Sequence, residues 1–133
     1  MSKLTKDTTR TYELGDINEL PVLGGETIYQ GASVGLESNG YVRSLQATDK
    51  FIGFAENHID ASNAVDGEKS VRVKKRGSIL LDLAGVSLSD VGKNIYALDD
   101  NTFTLSDSNS CYIGQISRYE FDERVIVDFD ANR

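Results

Sequence analysis

A chain of 133 residues, 39% hydrophobic and carrying a net charge of −7, is sized for one folded domain with a real core. Its acidic balance, with a pI near 4.6, argues against a nucleic-acid partner, because phosphate binding concentrates lysine and arginine on one face. A single cysteine closes no internal disulfide and suits a reducing compartment, and no apolar run approaches the roughly 20 residues that span a bilayer as a helix, so no membrane partner is expected.

In chain order, residues 1–20 are polar, threonine-rich and without clear periodicity, which predicts an N-terminal arm. Its first ten residues carry charge with no apolar stretch behind them, unlike a secretory signal. Pro21, the sole proline, marks the junction with a β-rich body over 21–133. Short alternating segments then predict strands over 27–30, 33–37, 41–45 and 51–56, with Asn39-Gly40 as a tight hairpin turn. Residues 57–69 lack strand periodicity and read as an exposed loop containing His58, the only histidine.

Strands over 70–75 and 78–83 follow, read as a hairpin around Arg76-Gly77, with the basic Lys74-Lys75-Arg76 run as a solvated turn and edge guard. Ser87, Asp90 and Gly92 suggest one short helix over 87–91. The remaining strands are expected at 94–98, 102–105, 111–118 and 124–129. In the last of them Val125, Val127 and Phe129 share one face, and Cys111 reads as a small buried hydrophobe.

One phrase occurs twice. Val34 to Val42 followed by Phe51-Ile52-Gly53-Phe54 is echoed by Tyr96 to Thr104 followed by Tyr112-Ile113-Gly114-Gln115. The apparent offset is 62 residues for the first piece, placing Leu36 on Leu98 and Tyr41 on Phe103, and 61 for the second. Each copy is a strand, a turn, a strand and a third strand. The fold class expected is therefore all-β, a small β-barrel, β-tulip or sandwich built from two related hairpin units, with an extended arm and at most one short helix.

The inventory of reactive residues is thin. One histidine and one cysteine stand far apart, with no CxxC, HxxxH or HExxH spacing, so no metal or other cofactor is expected. Gly24-Gly25-Glu26 has no following lysine and opens no helix, so it is no phosphate loop. No GxSxG elbow is present. No catalytic residues are assigned, and the chain is not expected to be an enzyme. The 11 tyrosines and phenylalanines fall mostly at alternating strand positions and read as core.

The run Gly31-Ala32-Ser33-Val34-Gly35-Leu36, the turn at Gly40, Phe51-Ile52-Gly53-Phe54-Ala55, Val71-Arg72-Val73 and Gly77 resembles the tailed-bacteriophage head decoration proteins, or capsid cement proteins. The likeness continues through Asp90-Val91-Gly92, Ile95-Tyr96-Ala97, Phe103-Thr104-Leu105, Ile113-Gly114-Gln115-Ile116 and Val125-Ile126-Val127, covering about 22–129. It implies a structural virion protein on the outer surface of the expanded head, made in the bacterial cytoplasm. Such a protein would cement neighbouring copies of the major capsid protein, and a homo-oligomer, with a trimer favoured, is implied too. Lys3, Lys6 and Arg10 against one Asp7 in the first ten residues set a basic arm against an acidic body, and these cations together with Tyr12 are the expected capsid-contacting residues. The competing expectation is a carbohydrate- or surface-binding β module, against which the absence of tryptophan weighs.

Overall fold

The computed structural model describes residues 3, 5–7, 9–11 and 13–132. Among them the strands are β1 (Ile17–Pro21), β2 (Thr27–Ile28), β3 (Ser33–Leu36), β4 (Val42–Ser44), β5 (Lys50–Ala55), β6 (Ile59–Asp60), β7 (Ser70–Lys74), β8 (Arg76–Asp82), β9 (Asn94–Ala97), β10 (Phe103–Thr104), β11 (Cys111–Tyr119) and β12 (Arg124–Asp130). The expected helix is a single 3-10 turn over Leu88–Asp90. The Ser87 backbone N–H donates to the Asp90 carboxylate at 3.0 Å, which satisfies a donor at the turn's start. The protein is all-β, and no helix is long and apolar enough to cross a membrane among the described residues.

The strands form two open five-stranded antiparallel sheets, ordered β1-β7-β5-β3-β4 and β10-β9-β11-β12-β8, and a two-stranded ribbon β2-β6. The two large sheets have the same plan. Reversing the second gives β8-β12-β11-β9-β10, in which each strand occupies the place of its counterpart in the first. The registers agree as well. Gly35↔Phe51 and Val34↔Gly53 in the first sheet become Tyr96↔Tyr112 and Ile95↔Gly114 in the second, each 61 residues on. Both ladders skip one residue at the same place, so Ile52 and Ile113 are matched β-bulges. Asn18↔Val73 becomes Ile79↔Val127, and Leu20↔Val71 becomes Leu81↔Val125. The duplication is therefore the whole fold, from β1 to β12, rather than one hairpin plan.

The register also corrects the offset. Leu36 pairs with Val42 and its counterpart Ala97 pairs with Phe103, so the first piece is displaced by 61 and Leu36 answers to Ala97, not Leu98. Similar residues in the hairpin loops had suggested a slip of one, but a slip of one turns every side chain to the opposite face. The residues kept identical between halves sit where geometry is least forgiving: Leu20/Leu81, Gly24/Gly85, Gly31/Gly92, Ile52/Ile113, Gly53/Gly114, Val71/Val125 and Val73/Val127. A Cβ on Gly53 would run into the Lys74 carbonyl oxygen, and one on Gly114 into the Asp128 carbonyl oxygen, the same point in each sheet.

Two further expectations are revised. The stretch 70–83 is no hairpin: β7 lies in the first sheet and β8 in the second, with Lys75 alone between them. The Lys75 N–H donates to the Asp16 carbonyl at 2.8 Å, and its own carbonyl accepts from the Ala131 N–H at 2.8 Å. One residue thus carries a rung of each sheet. The boundary of the arm moves too, because residues 17–20 belong to β1 and pair with β7. They read as arm because β1 is an edge strand and its one exposed face keeps it polar.

The halves differ in the link before the last strand of each. Glu56–Lys69 joins β5 to β7, whereas only 120–123 joins β11 to β12. The longer link supplies β6, which pairs with β2, and Ala61, which is fully buried, so the expected exposed loop is pinned to the core. The two links still share one device. The Gly24 N–H is held by the Asp66 carboxylate and the matching Gly85 N–H by that of Glu123.

Each half has its own core. Val22, Ile28, Val34, Val42, Val71 and Val73 fill the first; Leu83, Ile95, Ile113, Ile116, Val125 and Val127 fill the second. Phe51 and Phe54 are the exception. They belong to β5 of the first half but pack into the second half's core, edge-on to each other and to Phe129 at centroid distances of 4.9–6.3 Å. Gly53→Ala and Gly114→Ala are each expected to destabilise the fold by about 1–3 kcal/mol, since backbone must move to admit the methyl group. A lowered urea midpoint at unchanged slope checks this.

Candidate functional site

The structure places the expected contact residues Lys3, Lys6 and Arg10 on an exposed segment outside every strand, while Tyr12 lies outside the described residues. The segment is tied down only where it meets the body. The Arg76 guanidinium donates to the Leu14 carbonyl at 3.1 Å, and the Lys75 N–H holds the Asp16 carbonyl. Leu14 itself is 91% exposed. From Ile17 the chain runs as β1, paired with β7 over five residues and open on its other side. Pro21 ends that edge without a free N–H, a feature that discourages casual pairing. The first ten residues sum to +2 and the remaining 123 to −9, so the charge asymmetry along the chain is also an asymmetry between an exposed extension and a folded body.

The reactive side chains are engaged elsewhere. Cys111 is buried, its thiol directed at the carbonyl oxygens of Asp49 at 2.7 Å, Ala47 at 3.3 Å and Gln46 at 3.5 Å. Burial and then the negative charge of Asp49 push its pKa up, so it stays a thiol and ties the second half to the first. His58 is exposed, with its ring edge-on to Tyr29 at 5.1 Å. Asp60 is held below the usual carboxylate range by the Ser62 hydroxyl, with the Ser62 N–H adding to it. Asp90 is lowered by Lys93, whose ammonium donates at 2.7 Å, and by the Ser87 N–H.

Arg43 and Asp49 form a two-pronged ion pair at 2.8 and 3.1 Å, with the Asp49 side chain only 3% exposed. A Cβ on Gly35 would meet the Asp49 carboxylate, so this glycine makes room for the pair. Tyr96 occupies the matching position of the second sheet, where Thr104 and Ser110 stand at the places of Arg43 and Asp49 and no ion pair is needed.

Sequence reasoning did not find the seam between the halves. A cleft of about 260 Å³ opens there, floored by Phe54, Ala55, Ile79 and Phe129 and rimmed by Lys74 and Ser78. The Ser33 N–H bridges to the Asp100 carbonyl at 2.9 Å at another point of the same seam. Residues from β5, β7, β8 and β12 build the cleft, and only the crossover at Lys75 brings them together. The signal available in the sequence was the paired phenylalanines of the first copy, which stand where the second copy has Tyr112 and Gln115.

No family model, curated protein or solved structure matches the chain.

Asp100 is pushed up by burial and then by Asp99 beside it. A carboxylate raised in the folded state favours folding at acid pH, and that contribution is lost as pH rises through its folded value. Asp60 and Asp90, lowered in the folded state, contribute above their unfolded values and lose that contribution as pH falls through the folded ones. Asp100→Asn is therefore expected to raise the denaturation midpoint at pH 7 and to have little effect near pH 3, as thermal melts at both pH values will report.

Proposed function

We propose that this protein is a structural component of a tailed-bacteriophage virion that binds the outside of the expanded head and cements neighbouring major capsid proteins. The observation that carries the reading is the joining of an exposed, cation-bearing extension to a rigid double-sheet body through the edge strand β1. A tether of this kind is suited to an acidic seam between subunits, and the acidic body then faces water. The resemblance of residues 22–129 to decoration proteins points the same way.

Cementing needs no deep pocket. Several weak attachments borne on one oligomer raise the effective concentration of each, so arms of modest affinity hold tightly together. A homo-oligomer, with a trimer favoured, belongs to this reading, as does a place on the outer surface of the head. The body's contribution is stiffness: the halves share Lys75 and the Phe51–Phe54–Phe129 cluster, so a load borne by one is passed to the other.

Co-sedimentation with expanded heads tests the proposal. The full chain is expected to pellet with heads, and deletion of residues 1–13, which spares the Leu14 and Asp16 anchors, is expected to weaken that binding at least tenfold while leaving the melting temperature unchanged. Undiminished pelleting of the truncated chain removes the arm from the mechanism, and a full chain left in the supernatant overturns the proposal.

A further inference from the structure

We propose that the unpaired edge of β8, together with the seam cleft beside it, is a docking groove for an extended segment of a partner protein that carries one apolar anchor and carboxylates to one side of it. The inference stands apart from the role given to the arm.

Three observations converge on the groove. First, β8 is seven residues long and pairs only with β12, leaving one side of its backbone unpaired. Its counterpart β1 is five residues long and closes on Pro21, whereas β8 contains no proline. An open edge of this length takes an added strand through main-chain hydrogen bonds. Second, Ser78 and Ile79 of that strand are also walls of the cleft, whose floor is apolar Phe54, Ala55 and Phe129. About 260 Å³ is room for one large side chain. Edge pairing supplies affinity and a side-chain pocket supplies selectivity, and here the two adjoin. Leu80, next along the strand, is 48% exposed and extends the apolar track.

Third, the cations of Lys74-Lys75-Arg76 gather at the start of β8, in a chain that is otherwise acidic. Lys74 stands on the cleft's rim. Among the described residues no carboxylate pairs with Lys74 or Lys75. That charge selects the occupant. The protein's own arm, at +2 over its first ten residues, has the same sign and is repelled whether it comes from this molecule or from a second copy. An acidic flank next to the anchor is attracted, and because the cations lie at one end of β8 it also sets the direction in which the segment lies.

The test uses the full chain, without heads, and a capped peptide probe of sequence Asp-Glu-Val-Phe-Val-Thr-Val. Hydrogen exchange and amide NMR shifts are expected to show protection and perturbation concentrated at residues 76–82, with shifts at Phe54, Ala55 and Phe129, and none along β1. A peptide with lysine in place of both acids, and one with alanine in place of the phenylalanine, are expected to bind at least fivefold more weakly.

In the protein, Ile79→Glu is expected to abolish binding. The doubly exchanged Lys74→Glu, Lys75→Glu chain, altered outside both cores, is expected to weaken it about fivefold, the scale of two exposed charge pairs. Circular dichroism melts confirm that each variant is folded. Binding that ignores the peptide's charge, protection spread equally over β1 and β8, or no binding at all overturns the proposal. So does concentration-dependent self-association that Ile79→Glu removes, which assigns the groove to a second copy of this chain.

Discussion

The contact on which this architecture depends is the insertion of Phe51 and Phe54 from the first sheet into the core of the second. With Phe129 they form a mutually edge-on cluster, and burying three such rings contributes on the order of several kcal/mol. The two halves are copies of one plan, yet they cannot be packed symmetrically. The positions of Phe51 and Phe54 are taken in the second half by Tyr112, half-buried, and Gln115, exposed. The first half therefore buries a face that the second leaves to water. The first half covers its own core with the longer link carrying β6 and Ala61, whereas the shorter second link leaves the second core to be completed by the phenylalanines. A seven-residue difference in one connection accounts for the asymmetry of the whole body.

Most strands were legible in the sequence because their signals are local. Alternation at Val71/Val73 and Val125/Val127 and the turn residues at Asn39-Gly40 each specify conformation within a few residues. What the sequence did not disclose was partnership. Gly77 between two alternating runs is the mark of a hairpin, but the partners of β7 and β8 are β1 and β12, and nothing within the segment distinguishes the two outcomes. β1 itself was hidden because an edge strand with one wet face has the composition of an arm, and β6 because two residues are too few for a period. The repeat was visible, but its register was misplaced by one residue until the hydrogen-bonded ladders and the matched bulges at Ile52 and Ile113 fixed it.

Of the candidate site, the exposed cations of the arm could be read directly, since charge and the lack of apolar residues suffice to place them in water. The seam could not. Its cleft draws on four strands spread over some 75 residues of chain, and the basic run at 74–76 acquires meaning only when the crossover sets it beside Phe54 and Phe129. Taken alone, the same three cations describe an ordinary solvated turn.

The peptide of Lys75, bonded to Asp16 on one side and to Ala131 on the other, has a mechanical consequence. The arm enters the body along the axis of β1, and the strand it lies against continues through this single residue into the opposite sheet. Tension applied along that axis is resisted in shear by all the rungs between β1 and β7 at once, rather than by one rung after another as in a zipper. The stress then crosses to the other sheet through covalent backbone. A thread sewn in this way yields only when many stitches part together.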